Sequence, residues 1–249
     1  MIRNVLIGYG ALVVVIILAG IASAYGGSGQ GLVVEKQSQN SQVYATDPFR
    51  LEPGLAVAKM THSGEGSFVV NLVSAMQEET IAAPEKIKFS EDQYGGSNTE
   101  VAIALAEEAG PVTISRAVSI PVGGKHLLDV KADGLWTVEV EQPQPSSAPR
   151  TNRFSGDDDT ATPFFSLSSG PKQINITNPL EANLNVSLID SDGDVVKSGL
   201  GNETGQAGQT PSSAITSKVD IPEDSLYLFN VRADGLWTIE IVDTEWPDL

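Results

Sequence analysis

The stretch DSDGDVV, Asp190 to Val196, sets three carboxylates at alternate positions. Asp190, Asp192 and Asp194 could offer hard oxygen ligands to Ca2+, the one cofactor this sequence suggests. The loop lacks the distal Glu that completes an EF-hand. A polar turn joining the strands VSLI and VVKS is the preferred reading. The two histidines, His62 and His126, stand one in each half of the first repeat described below, with no Cys beside them. A lone His makes a poor metal site and a poor triad. SGEGS and GGSGQG lack the strand–turn–helix setting of a nucleophile elbow or a phosphate loop. Abundant carboxylates yield chance pairs, so they do not argue a glycosidase. No catalytic residue is assigned, and the chain is read as a non-enzyme. Sequons stand at Asn175, Asn185 and Asn202. Strand phase points the first two outward, and Asn202 falls in a polar loop, so an exported chain could carry glycans there.

The bulk composition narrows the partners. The 249 residues include 32 acidic and 15 basic side chains, a formal net charge of −17. That charge repels phosphate backbones, so nucleic-acid binding is excluded as a function class. It also suits high salt, where screening is short-ranged. There is no cysteine, which removes disulfides, thiol nucleophiles and a lipid-modified N-terminal Cys.

The N-terminus points to export. Val5 to Ala24 is an uncharged run of 20 residues behind Arg3. As a helix it would span roughly 30 Å, the thickness of the hydrocarbon core. Cleavage after Ala22-Ser23-Ala24, leaving a secreted protein that starts at Tyr25, is the alternative. A retained anchor is favoured because secretory apolar regions are usually ~7–15 residues long. The remainder would then lie outside the cell membrane in a single-pass arrangement. Residues 25–46, rich in Gly, Ser and Gln, read as a flexible stalk.

Beyond residue 46 the chain repeats itself. FRLEPGLAVAKMTHSGEGSFVVNLVS, from Phe49, lies on FSLSSGPKQINITNPLEANLNVSLID, from Phe165, with an offset of 116 and seven identities. Ile120–Val140 lies on Ile221–Ile241 with an offset of 101 and eleven identities. Apolar residues alternate in both copies, as in Phe68, Val70 and Leu72 or Leu184, Val186 and Leu188. Period two with short runs between Gly, Pro, Ser and Asp predicts an all-β fold. The expectation is two tandem antiparallel, jelly-roll-like β-sandwiches after one transmembrane helix. The expected segments are anchor 1–24, stalk 25–46, first sandwich 47–143, linker 144–160 and second sandwich 161–249. ADGLWT, present in both copies, is expected to turn a three-residue hairpin at Gly134 and Gly235, with Trp136 and Trp237 as buried anchors. TEVAIALAEEAG is readable as helix or strand.

The opening Phe-x-Leu-x-x-Gly, the alternating middle strand and the closing ADGLWT resemble the small β-sandwich repeats of secreted archaeal and bacterial proteins. Prepeptidase C-terminal-type domains are the family named by that resemblance. It implies an extracellular accessory or binding module rather than a catalyst. The leading expectation is therefore a membrane-anchored extracellular structural or interaction protein with protein partners at the cell surface. A polysaccharide-binding module is the alternative. The net 15 extra residues of copy one, between Ser74 and Ile120, are expected to carry a partner contact, with Tyr94 beside Gly95 and Gly96 as the candidate.

Overall fold

The computed structural model describes residues 13–22, 28–74, 102–178, 183–201 and 215–243. Among them every regular element is a strand. β1 (Val13–Ala22) pairs antiparallel with β2 (Ser28–Ala45). The first copy continues through β3 (Phe49–Leu51), β4 (Gly54–His62), β5 (Ser67–Ser74), β6 (Ala102–Ala109), β7 (Val112–Ile120) and β8 (Gly124–Glu141). The second runs through β9 (Arg153–Gly156), β10 (Thr160–Ala161), β11 (Phe165–Leu167), β12 (Gly170–Thr177), β13 (Leu184–Asp190), β14 (Val195–Leu200), β15 (Ile215–Ile221), β16 (Ser225–Ala233) and β17 (Trp237–Asp243).

In the second copy two sheets face each other. One has the order β15-β12-β17-β9, and the other β10-β16-β13-β14 with β11 also on β16. Their inward residues, including Ile174, Ile176, Val186, Leu188, Phe229 and Ile239, are fully buried. The first copy repeats this plan in the same register. Leu72 pairs with Leu128 and Asn71 with Asp129, as Leu188 pairs with Phe229 and Ser187 with Asn230. Ala58 pairs with Val140 where Ile174 pairs with Ile241. A one-residue slip would turn each apolar set outward, so the shared register reflects a shared core pattern.

ADGLW is not a hairpin. In copy one it lies inside β8, which runs unbroken from β5 to the β4–β2 side of the sandwich. In copy two, β16 and β17 belong to different sheets. In copy two the stretch therefore carries the chain from one sheet to the other, whereas in copy one β8 runs through it and joins the strands into a single eight-stranded sheet. The alternation is compatible with a hairpin because Val130 and Trp136 are an even number of residues apart. That spacing keeps them on one face whether the chain folds back or runs straight on. Gly134, with φ 63°, supplies the bend. The burial expectation holds, with Trp136 and Trp237 each 2% exposed.

Three boundaries also move. Residues 28–45 of the expected stalk are strand β2, with Leu32 and Val34 in the core and Gly31–Ser38 and Gln42–Ala45 paired to β8. Glycine and glutamine masked the alternation of Leu32, Val34 and Lys36. The second sandwich begins within the expected linker, at β9. The ambiguous TEVAIALAEEAG is strand β6 over its described part. Of the expected membrane helix, 5–12 and 23–24 lie outside the described residues, and Val13–Ala22 is β1 at the edge of β2. No helix among the described residues is long and apolar enough to cross a membrane.

The two sandwiches share a third apolar cluster. Leu55, Val57 and Ala117 of the first meet Ala161, Phe164, Ile189 and Leu228 of the second. β7 is the edge strand of its sheet, and the second sandwich covers that edge. Asn230 accepts from the Ala117 N–H and donates to the Ala117 carbonyl, both at 3.1 Å. The Ser115 N–H donates to the Asp159 carbonyl at 3.1 Å, and the Ser115 hydroxyl accepts from the Ala161 N–H at 2.9 Å. Pairing an edge in this way removes a template for aggregation. The seam also explains Gly193, whose φ is 92° and whose missing Cβ would stand 2.9 Å from the Leu55 nitrogen. Gly193→Ala combines backbone strain with a backbone clash across the seam. It is expected to lower stability by about 1–3 kcal/mol, read from the urea midpoint.

Candidate functional site

The outer face of the sheet β15-β12-β17-β9 carries a polar cleft among the described residues. Strand alternation sends Ile174, Ile176, Ile239 and Ile241 into the core and their neighbours outward. Thr216, Asn175, Glu240 and Arg153 consequently form one row across four strands, each opposite the next. With Gln173, Thr177 and Thr238 they line an open cleft of about 390 Å3. Gln173 Nε2 and Thr216 Oγ1 both donate to Asn175 Oδ1 at 2.9 Å. The amide is thereby fixed in orientation. The face offers hydroxyls, amides, one guanidinium and one carboxylate, with no aromatic ring lining it. That is hydrogen-bonding chemistry for a polar, hydroxyl-rich or peptide ligand.

The expected site residues fall elsewhere. Asp190 Oδ1 accepts from the N–H groups of Asp192, at 3.0 Å, and Asp194, at 2.8 Å. The Asp190 N–H donates to the Asp194 carbonyl at 3.0 Å. Asp190 is thus committed to closing the turn, the preferred reading of DSDGD. Among the described residues no group of three or more His, Cys, Asp or Glu is placed to hold a metal ion. Asn175 is half-buried at the centre of the cleft, on a strand paired on both sides. Asn185 is exposed on β13, opposite Arg232. Asn202, Tyr94, Gly95 and Gly96 lie outside the described residues.

His62 is buried and structural. Its ring stacks on Phe68 at 4.8 Å, and its nitrogens approach the carbonyls of Gly110, at 2.9 Å, and Asp133, at 2.8 Å. Asp133 also accepts from the Gly66 N–H at 3.2 Å. These contacts tie the loop after β4 to the bend of β8. His126 contacts the Gly124 carbonyl at 3.1 Å.

Charge reasoning missed an ionic group at the seam. Arg116 Nη2 donates to Asp159 Oδ2 at 2.5 Å, with both side chains largely buried. Asp159 Oδ1 accepts from the Ala233 N–H at 2.8 Å. The surrounding acids crowd this pair. Burial, then Asp159 and Asp234, push the Glu108 carboxyl above its ordinary value, against the pull of Arg116. Burial and the neighbouring Asp157, Asp159 and Asp234 do the same to Asp158. Asp157–Asp159 falls in the expected linker 144–160, and nothing local in the sequence distinguishes the one that is buried.

No protein-family model matches this chain, and no curated protein matches it. Among solved structures, it is similar to the N-terminal CBM22-1–CBM22-2 tandem domain of Xyn10C from Paenibacillus barcinonensis, at 11% identity over 94% of each chain. The TM-score is 0.26, too loose a superposition to say what this chain binds.

Proposed function

We propose that this chain is a membrane-anchored extracellular structural or interaction protein, in which two coupled β-sandwiches form a docking body rather than a catalytic one. The supporting observation is the seam. The chain uses a sheet face to grip a sheet edge, through Asn230 and the cluster of Leu55, Val57, Phe164 and Leu228. That is the contact of one module on another, and the polar groups it buries are spent on holding modules together. The buried His62 and the Asp190 turn are likewise committed to structure.

The anchor reading rests on the uncharged run Val5–Ala24 behind Arg3. Its portion VVVIILAGIA has no polar residue at either set of alternate positions. An edge strand of that composition in water invites aggregation, whereas hydrocarbon favours a helix that satisfies its own backbone. With β2 starting at Ser28, the first sandwich would sit close to the bilayer surface. Purification of the intact chain from its native membrane tests both parts. It is expected to resist alkaline extraction and to bring a protein partner with it. A mature N-terminus at Tyr25 would replace the anchor with secretion, and a chain recovered alone under gentle extraction would remove the interaction role.

The cleft on β15-β12-β17-β9 favours a second reading, a module for a hydroxyl-rich ligand such as a polysaccharide. In that case Asn175→Ala, which also releases Gln173 and Thr216, should abolish retention on an immobilised glycan. Equal retention of the variant would sink it.

A further inference from the structure

We infer that Asn175 carries an N-linked glycan and that the cleft around it is the seat of that glycan. The inference rests on the exported topology proposed above and names an occupant for the polar face. Asn175-Ile176-Thr177 is a sequon, and its first and third residues share one face of β12, about 7 Å apart along the strand. The hydrogen bonds of the Asn175 amide distinguish its two terminal atoms. Oδ1 accepts from Gln173 Nε2 and Thr216 Oγ1, while Nδ2 donates to no group among the described residues. The planar amide holds Nδ2 on the side away from both donors. Nδ2 is the atom to which an N-linked sugar is joined, so a saccharide there breaks no hydrogen bond of the fold.

The duplicated framework shows that this opening is particular to the second copy. The first sandwich has Lys59, Glu139, Thr61 and Thr137 where the second has Asn175, Glu240, Thr177 and Thr238. In the first, three of those four are satisfied within the chain. Lys59 pairs with Glu141 at 2.7 Å, and the Thr61 and Thr137 hydroxyls share a hydrogen bond at 2.6 Å. In the second, the side chains of Thr177, Thr238, Glu240 and Arg153 make no hydrogen bond or ion pair among the described residues. These polar groups face the cleft beside a sequon that the first copy lacks. Glu240 accepts from sugar hydroxyls, Arg153 donates to sugar oxygens, and the two threonines do either. Asn175, Glu240 and Arg153 are consecutive in one row, so the first sugars run from β12 over β17 to β9, about 10 Å. The covalent step is a substitution. Nδ2 attacks the anomeric carbon of a saccharide carried on a lipid phosphate or diphosphate, which the membrane supplies with its transferase. The C1–N bond forms, the C1–O bond to the phosphate breaks, the lipid phosphate leaves and Nδ2 gives up one proton. Transfer precedes the pairing of β12 with β15 and β17, while the segment is still open.

The full chain purified from its native membrane in mild detergent tests both parts. Cleavage after Lys172 and Glu181 isolates Gln173 to Glu181, a peptide that contains Asn175 but not Asn185. That peptide is expected to carry a saccharide mass on Asn175. Thr177→Ala should remove it, and Thr177→Ser should keep it. The seat is read with mild periodate, which cleaves vicinal diols. The glycan is expected to be oxidised about tenfold more slowly on the folded chain than on the excised peptide, the effect of one charge-assisted hydrogen bond. Arg153→Ala combined with Glu240→Gln should abolish that protection and leave the attachment intact. An unmodified peptide overturns the inference, whatever Asn185 and Asn202 carry. Equal oxidation of chain and peptide overturns the seat, as does protection that survives the double variant. Export is scored separately, by alkaline extraction and the mature N-terminus. Sugar on Asn185 or Asn202 with Asn175 bare therefore ends this inference and leaves the exported reading standing. Retention on an immobilised glycan by a native chain bare at Asn175 ends it in favour of a free ligand.

Discussion

Trp136→Ala and Trp237→Ala are each expected to cost about 3–5 kcal/mol, among the largest losses any single core truncation here can produce. Both indoles are 2% exposed and fill the interior, Trp136 within the long strand β8 and Trp237 where the chain passes from one sheet to the other. Trp136 packs with Tyr44 at 6.0 Å between ring centroids. Trp237 donates its Nε1 proton to the Asp158 carbonyl at 3.1 Å and lies against Gly156, where a Cβ would come within 2.5 Å of its ring. Truncation therefore removes transfer free energy and leaves a cavity that the flanking strands cannot readily close. The Trp237 variant also strands a carbonyl, which adds to the loss. Urea unfolding of each variant at constant slope supplies the measurement. A midpoint within error of wild type for either would mean that its indole is not a point of core closure.

These tryptophans show how much the sequence discloses. Alternation of large apolar residues identified Phe68, Val70, Leu72, Leu184, Val186 and Leu188 as core, and all six are buried. Identity between copies located the repeat, and it is densest around ADGLWT, where the buried Trp136 and Trp237 are kept while core neighbours such as Leu128 and Phe229 are exchanged. What alternation cannot disclose is the partner across the sheet. Val130 and Trp136 share a face in a hairpin and in a straight strand alike, so Trp136 was legible as core while the path of ADGLW was illegible as topology. Strand β2 was hidden for a different reason, since a Gly/Ser/Gln composition describes a linker as well as it describes a strand held by a long neighbour. The cleft of Asn175 and Glu240 is polar by alternation, but only the sheet order brings Arg153 and Thr216 into the same row. The seam is the least legible part. Leu55, Val57 and Ala117 point away from their own core, and in the sequence they look like irregularities in the alternation.

The seam also gives the second large effect. Asp159→Ala is expected to destabilise the protein by about 3–5 kcal/mol and to split one unfolding transition into two. Two consequences oppose each other. Removing Asp159 relieves repulsion on Glu108 and Asp158, whose carboxyls it helps to push up. For those two groups the sign is fixed. A raised folded pKa makes ionisation unfavourable, so their penalty is absent in acid and grows as the pH rises through the raised values. Both are more exposed than Asp159, so solvent screens that relief to a fraction of the whole. Against it, the Arg116 guanidinium stays largely buried without its carboxylate, and its Nε already lacks a partner. Arg232, 4.0 Å from Asp159 and mostly exposed, can turn to water and does not share the loss. The Ala233 N–H loses its acceptor as well. The uncompensated buried cation therefore decides the sign. Asp159→Asn keeps an acceptor for Ala233 and loses only the charge, so it should fall between wild type and the alanine variant. Arg116→Met added to Asp159→Ala removes the stranded cation and should recover part of the lost stability. If the double variant is no more stable than Asp159→Ala, the pair is not what couples the two sandwiches. The coupling then lies in the apolar cluster around Phe164 and Leu228.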